Sequence, residues 1–359
     1  MSPRSMQVLA LLAVVVALGA GLAAGWLARG PGASSNSSGS PASTSTLQIV
    51  GAGSLNAVLP PIASAFANQT PGVSAPAAAQ TYEGSITALN SIAQTHQAYD
   101  VALAADYRLI PQILEPTYAS YEVIFASDPV VLAFSPSASA LAGITAGNWA
   151  TKIQSSGVML GVSNASTDPL GYAAIFTLQL EGELQSSDLT SVYSHFFSGA
   201  PGSFAVPLSS STRLSPETQA ATELMGGTVQ VFLLYQSYAE SAHLSFLSLD
   251  WRVNLGSLNA SALSYYAQAS TGILNASRAV HVVTGAPVLF GATVPTNAPN
   301  PALGQLFLAF LLSPATAPQL ANAGFVPLPT PWTDHLSALP NALAATTQAL
   351  PASLASTLP

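Results

Sequence analysis

Short uninterrupted apolar runs alternate along this chain with stretches whose apolar residues recur at helical spacing. Leu47-Gln48-Ile49-Val50 predicts a strand, and Val58, Ile62, Ala65 and Phe66 predict the helix after it. A short strand over Val73 to Gln80, a helix beginning near Ile86 and a buried strand over Asp100 to Ala105 continue the rhythm. This βαβαβ order predicts an α/β fold, with a parallel sheet and helices on its faces. The apolar run from Val123 to Phe134 is long for one strand and holds Pro129, so it is expected to cross between two lobes. A second α/β unit follows. It has a strand over Val158–Val162, a hydroxyl-rich turn from Ser163 to Tyr172, a helix over Ala173–Leu180, a Ser-rich stretch to Arg213 and a strand from Thr228 to Tyr235. After Tyr265 the chain returns to the first lobe, with a strand over Val288–Val294 and an apolar helix over Pro301–Leu312. The tail from Leu336 is rich in Ala, Leu and Pro and helical in part.

The N-terminus has its own pattern. An apolar run from Val8 to Leu27 lies between Arg4 and Arg29. Such a run is long enough to span a bilayer. The small residues around Ala20 to Ala24 also suit a cleavable export signal. The length of the run favours an uncleaved anchor, and either reading puts the remainder on the extracellular face of the membrane. Gly30 to Thr46 is a Ser/Gly/Pro stretch without core-forming residues, which predicts a flexible linker. The expected organisation is a signal or anchor at 1–29 and a linker at 30–46. Lobe 1 takes residues 47–130 and 266–345, lobe 2 takes 131–265, and the tail is 346–359.

Composition narrows the function. Hydrophobic residues make up 49% of the 359, enough for a sizeable core, while charged residues make up only 6%. A surface so poor in titrating groups changes little on acidification and suits a harsh or acidic exterior. The net charge of −8 argues against nucleic acid as a partner. It also leaves an anionic ligand to be held by local dipoles. The chain has no cysteine, so disulfides, thiol catalysis and lipid-modified cysteine are excluded. Asn-x-Ser/Thr sequons at Asn36, Asn68, Asn164, Asn259 and Asn275 are compatible with export.

Three turns between a predicted strand and a predicted helix share one chemistry: Gly53-Ser54, Gly84-Ser85 and Asp168-Pro169-Leu170. In open α/β sheets such turns gather at the carboxyl ends of strands, where ligands bind. Unpaired N–H groups at helix starts, with Ser hydroxyls beside them, make a cradle for an anion. For each turn taken alone helix capping is the better account, with Thr167 or Asp168 as cap and Pro169 at the first helical position, and it is the likeness of the three that points to binding. Ser215-Pro216-Glu217 likewise reads as a cap followed by an acidic first turn. Tyr235, at the end of its strand, is either core or a ligand donor.

Other motifs fall short. Gly51-x-Gly53 lacks the third glycine of a dinucleotide fingerprint, since Asn56 stands there, and no acidic residue follows at the ribose-binding distance. Gly161-Val162-Ser163-Asn164-Ala165 approaches a nucleophile elbow but ends in Ala. The five histidines, His96, His195, His243, His281 and His335, show neither metal spacing nor an evident partner in sequence.

Taken in order, several stretches resemble the archaeal-type molybdate/tungstate-binding proteins of ABC transporters. They are Gly51-Ala52-Gly53-Ser54-Leu55, Ala105-Asp106-Tyr107-Arg108-Leu109-Ile110-Pro111-Gln112-Ile113-Leu114 and Asp168-Pro169-Leu170-Gly171-Tyr172. Later come Tyr235-Gln236-Ser237-Tyr238-Ala239, Pro295-Thr296-Asn297-Ala298-Pro299-Asn300 and Phe310-Leu311-Leu312-Ser313-Pro314. The resemblance runs from Leu47 to about Pro329. It implies two α/β lobes closing on an oxyanion, the type II periplasmic-binding-protein arrangement, and a monomer serving an ABC permease with no catalysis and no cofactor.

By that resemblance the oxyanion is held at Gly53, Ser54, Ser85, the turn Asp168-Pro169-Leu170, Glu217 and Tyr235. Asp168 and Glu217 would be ligands to the molybdenum or tungsten itself. Two carboxylates facing a dianion should repel it unless they bond to an expandable metal centre, which sulfate lacks. The sequence departs from the family where Leu170 replaces a frequent Cys and Leu234 replaces an acidic residue, and Gly182–Ser211 aligns poorly. The alternatives are the same scaffold holding sulfate or phosphate, and an exported α/β hydrolase using Ser163.

Overall fold

The computed structural model describes residues 44–155, 157–275 and 277–359. The expected signal or anchor at 1–29, and the linker as far as residue 43, lie outside the described residues. The end of the linker is ordered. Ser45 and Thr46 pair in parallel with Val73 and Ser74, and the N–H groups of Ser45 and Leu47 donate to Gly72 O and Ser74 O at 2.8 Å. Regular structure therefore begins before Leu47. The short strand expected over Val73 to Gln80 is broken in two, because Pro76 and the 3-10 turn Ala77–Ala79 interrupt the ladder.

In chain order the first lobe supplies β1 (Ile49–Ala52), α1 (Leu59–Gln69), β2 (Gln80–Glu83), α2 (Ser85–Ala93), β3 (Val101–Ala104) and β4 (Val123–Ser127). The second supplies β5 (Val130–Phe134), β6 (Leu160–Val162), α3 (Pro169–Ser186), β7 (Thr212–Leu214), β8 (Val231–Tyr235) and β9 (Phe246–Ser248). A hairpin follows, β10 (Ser270–Leu274) and β11 (Val280–Thr284). The chain then adds β12 (Leu289–Thr293), α4 (Pro301–Leu311), β13 (Val326–Thr333) and β14 (Gln348–Ala349).

Two sheets result. One has seven strands in the order β14-β13-β4-β12-β3-β1-β2, the other five in the order β7-β6-β8-β5-β9. The run Val123–Phe134 is divided between them, as β4 and β5, with Asp128 and Pro129 at the crossing. Strands β2, β1 and β3 are parallel, as are β7, β6 and β8. The parallel order expected of the first βαβαβ unit holds, and each sheet also carries antiparallel strands. β12 runs antiparallel to both β3 and β4, and β5 runs antiparallel to β8 and β9. The cause is connectivity: a chain that leaves one sheet for the other and comes back enters from the opposite end.

β1, β3 and β4 are buried along their whole length, which accounts for their unbroken apolar sequences. The helix α3 is buried from Pro169 through Gly182 and has apolar residues all round rather than on one stripe. The C-terminal tail is docked. Gln348 and Ala349 pair with Trp332 and Thr333, and Leu350 and Leu354 are buried with Tyr107 and Ile124. Among the described residues no helix is long and apolar enough to cross a membrane.

Candidate functional site

Each candidate follows, or ends, a strand of one of the two parallel trios. Gly53-Ser54 follows β1, Gly84-Ser85 follows β2, the Ser163–Asp168 turn follows β6, Ser215–Glu217 follows β7, and Tyr235 ends β8. Parallel strands send their exits to the same end of a sheet, which is why residues distant in sequence meet.

They meet closely. A methyl group added to Gly53 would lie 2.9 Å from Glu217 Oε2, and one added to Gly84 would lie 2.4 Å from Thr167 O and 2.9 Å from Asp168 Cβ. The N–H of Thr87, on α2, also donates to Thr167 O at 3.3 Å. The glycines let the two Gly-Ser turns of the first lobe press against the two acidic turns of the second. Between them lies a cavity of about 350 Å³ lined by Gly53, Glu83, Gly84, Ser163, Asp168 and Glu217, among others. Ser54, Ser85 and Leu170 do not line it. Pro169 and Tyr235 line a separate, narrower gap of about 10 Å³.

Capping explains one of the turns only. Asp168 caps α3, with Oδ1 accepting the Leu170 N–H at 3.0 Å and Pro169 in the first turn. Neither Ser54 nor Ser85 makes a capping bond. Ser85 Oγ accepts the Ala105 N–H at 3.0 Å, while Ser54 Oγ is buried without a partner. The expected Ser215 cap is also absent, because its hydroxyl donates to Glu223 Oε2 at 2.6 Å. Glu217 is 4% exposed, and its Oε1 has no partner. Tyr235 is buried with its hydroxyl equally bare.

Burial pushes the Glu217 carboxyl well above the usual carboxylate range, and the charges of Asp168 and Asp128 push it further. The Ser54 backbone N–H opposes them. Asp168 is raised by burial, against the pull of the Leu170 N–H and the Ser163 hydroxyl. Tyr235 is raised by burial first, then by Asp168, Tyr172 and Glu217, so its phenol shares the field of both carboxyls.

A second polar cluster joins the lobes beside the site. Tyr172 on α3 donates to Asp106 Oδ2 at 2.6 Å, and Arg108 grips the same carboxylate through Nε and Nη2 while its Nη1 donates to Thr284 O at 2.8 Å. Burial would raise Asp106, but the charge and hydrogen bonds of Arg108 outweigh it and hold the carboxyl below its ordinary value. Sequence reasoning assigned Asp106, Tyr172 and the crossing residue Asp128 no role. An Asp-x-Arg pair in a chain with so few charges was the available signal. Ser237 donates to Asp128 from both its hydroxyl and its N–H, which fixes the crossing against the helical turn after β8. A larger cavity, about 740 Å³, lies beneath the β10–β11 hairpin and the tail. Asp106, Arg108 and Tyr172 on its wall are already bonded to one another, and the bare polar groups of the cleft lie elsewhere.

Two lobes joined by a divided strand, with unpaired polar groups at the carboxyl ends of parallel strands in the cleft, define a solute-binding protein. The chain belongs to the bacterial extracellular solute-binding protein family, whose model matches residues 47–326. Its curated relatives include the molybdate/tungstate-binding protein WtpA of Thermococcus kodakarensis, 28% identical over 242 residues, which are 64% of this chain and 66% of that protein. The match thus spans just under two thirds of that relative. The WtpA of Pyrococcus abyssi is 26% identical over 64% of this chain and 69% of its own length. Among solved structures, the periplasmic molybdate-binding protein of Azotobacter vinelandii superposes with a TM-score of 0.52 at 16% identity, covering 79% of this chain and all of that one. The sulfate-binding protein SubI of Mycobacterium tuberculosis gives 0.52 at 13% identity, covering 86% and 96%. At such identities these structures share the two-lobed fold and carry nothing about the ligand.

Proposed function

We propose that this protein captures tungstate or molybdate outside the membrane and delivers it to an ABC permease. The observation that carries this reading is the pairing of Asp168 and Glu217 in one cleft, beside neutral donors that have no protein partner. Two groups fit the outer oxygens of a tetrahedral oxyanion, the Ser54 hydroxyl and the Tyr235 hydroxyl, both buried without a protein partner. Ser85 fits as a further donor once its hydroxyl proton turns to the cleft. The two carboxylates fit the metal centre, which accepts extra oxygen ligands where sulfur and phosphorus do not. The names of the relatives support the same ligand class. Anchoring through residues 1–29, a monomeric state and lobes bounded at 47–130 with 266–345 and at 131–265 belong to the same reading.

The hydrolase alternative finds no support. Ser163 Oγ donates weakly to Ser215 O at 3.4 Å, and among the described residues no histidine lines the cleft. Calorimetric titration with tungstate, molybdate and sulfate tests the proposal. Tungstate and molybdate should each bind at one site per chain, at least about 100-fold tighter than sulfate, a gap of about 2.7 kcal/mol. Equal or tighter sulfate binding would overturn the reading in favour of a plain oxyanion carrier.

A further inference from the structure

A second group of acidic side chains gathers away from the cleft. Glu115 follows the helical turn Leu109–Ile113, and Asp334 and His335 follow β13. One ligand atom from each of the three lies within 4.8 Å of the others. None of the three lines the cleft cavity. The absence of any metal spacing among the histidines is therefore a property of the sequence alone, since His335 meets its partner Glu115 only through the fold.

Several carboxylate oxygens around these residues are buried with no N–H or hydroxyl to meet them. Asp334 Oδ1 is fixed by the N–H groups of Glu122 and His335, each at 2.8 Å, while its Oδ2 is buried and bare. Glu115 Oε2 meets His335 Nε2 at 3.2 Å, and its Oε1 is buried with no N–H or hydroxyl donor, on a side chain only 10% exposed and within hydrogen-bonding reach of the Asp334 carboxyl. Behind them stands Glu122, wholly buried with neither oxygen partnered, and Asp334 is the foremost of the charges acting on it. Among the described residues no lysine or arginine pairs with any of these carboxyls. A buried polar group left unmet costs about 1–3 kcal/mol, and more when charged.

We propose that Glu115, Asp334 and His335 bind a divalent transition-metal ion of the zinc class, with the buried Glu122 packed behind the ligands. Two carboxylates and an imidazole suit zinc, whereas calcium and magnesium take oxygen ligands alone. His335 is 57% exposed, which leaves an entry path and room for water in the remaining position. The bound ion would tie the segment after Ile113 to the end of β13, two parts of the chain far apart in sequence.

Equilibrium dialysis of the full chain against zinc chloride, without oxyanion, tests this, with bound zinc measured by elemental analysis. One zinc per chain is expected, at micromolar affinity or tighter. His335→Ala and Glu115→Gln should each weaken it by about 100-fold or more. Asp168→Asn should leave it unchanged, which separates this site from the cleft. Zinc should raise the melting temperature of the parent but not of His335→Ala. The exposed position of His335 makes that variant safe to fold, and circular dichroism checks it. Zinc binding that survives both substitutions, or that appears only at millimolar concentration, overturns the proposal.

Discussion

Two polar clusters cross from one lobe to the other, and they differ in how completely their atoms are bonded. In the Asp106–Arg108–Tyr172 knot the carboxylate accepts from guanidinium, phenol and a backbone N–H, and the arginine reaches on to a carbonyl. Glu217 Oε1 in the cleft, and Ser54 Oγ and Tyr235 Oη beside it, are buried with no partner. Proteins rarely leave buried polar atoms unmet, because each loses its water without replacement. The knot has the bonding of a structural latch. The cleft has the bonding of a place kept for something else. Their electrostatics divide in the same way, with Asp106 held down and Glu217 driven up.

The broadest test of that division is pH, because several groups act together. Burial drives Glu217 and Glu122 well above their ordinary 4.5, and burial raises Asp128 from 3.8 to about 8 against its Ser237 hydrogen bonds. A carboxyl whose value is higher folded than unfolded stabilises the fold fully below its unfolded value, and that stability is lost as pH rises toward the folded value. Asp106 works the other way and weakens the fold only as pH falls below about its ordinary 3.8. Ligand-free protein should therefore unfold at a higher temperature at pH 5 than at pH 8, as followed by circular dichroism. A flat or rising profile would mean that the cleft and crossing carboxyls are ionised in the fold, and the contrast with the knot would fail.

The next effect in size belongs to the knot. Asp106→Asn leaves Arg108, 13% exposed, without its counter-charge. Removing one partner of a buried pair costs about 3–5 kcal/mol. Urea unfolding should show that loss. A change below about 1 kcal/mol would class the knot with ordinary surface ion pairs.

Much of this division was legible in the sequence, and the rest was hidden for physical reasons. Strand-to-helix turns carrying Gly-Ser and Asp-Pro marked the cleft, because parallel strands must release their chains at one end. Capping of α3 by Asp168 was equally readable, since it is a local bond. The states of Ser54, Ser85 and Ser215 were not. Whether a hydroxyl caps, donates elsewhere or stays bare depends on neighbours such as Ala105 and Glu223, which tertiary packing supplies. The antiparallel return of β12 was also hidden, because periodicity reports a strand and not its direction. Glu115 and His335 meet across most of the chain, where no local spacing could announce them.

Asp168→Asn comes next. Asn still caps α3, so the fold should persist. If the carboxylate bonds to the metal centre, tungstate affinity should fall by about 100-fold, or about 2.7 kcal/mol, and sulfate affinity should stay level or improve. Glu217→Gln should behave alike. Tungstate binding as tight as the parent's would reduce Asp168 to a cap.

The smallest effect separates the two clusters most sharply, because it uses the same atom in both. Tyr172 and Tyr235 are buried tyrosines a short distance apart, and each loses one hydroxyl on substitution by Phe. Tyr172 donates to Asp106 Oδ2 at 2.6 Å, so Tyr172→Phe removes a bond to a charged group and should cost about 1.5 kcal/mol of stability. Tyr235 Oη has no partner in the ligand-free protein, so Tyr235→Phe relieves an unmet group and should raise stability by about 1 kcal/mol. In the presence of tungstate the order reverses. Tyr235→Phe should lose about tenfold in affinity, since the hydroxyl that costs stability when free is the one that meets an oxyanion oxygen. Tyr172→Phe should lose less, because Tyr172 touches Asp106 and not the ligand. Urea unfolding and calorimetry on the two variants give all four quantities. If Tyr235→Phe destabilises the free protein as Tyr172→Phe does, its hydroxyl is already bonded, and the cleft is closed upon itself rather than held open for an anion.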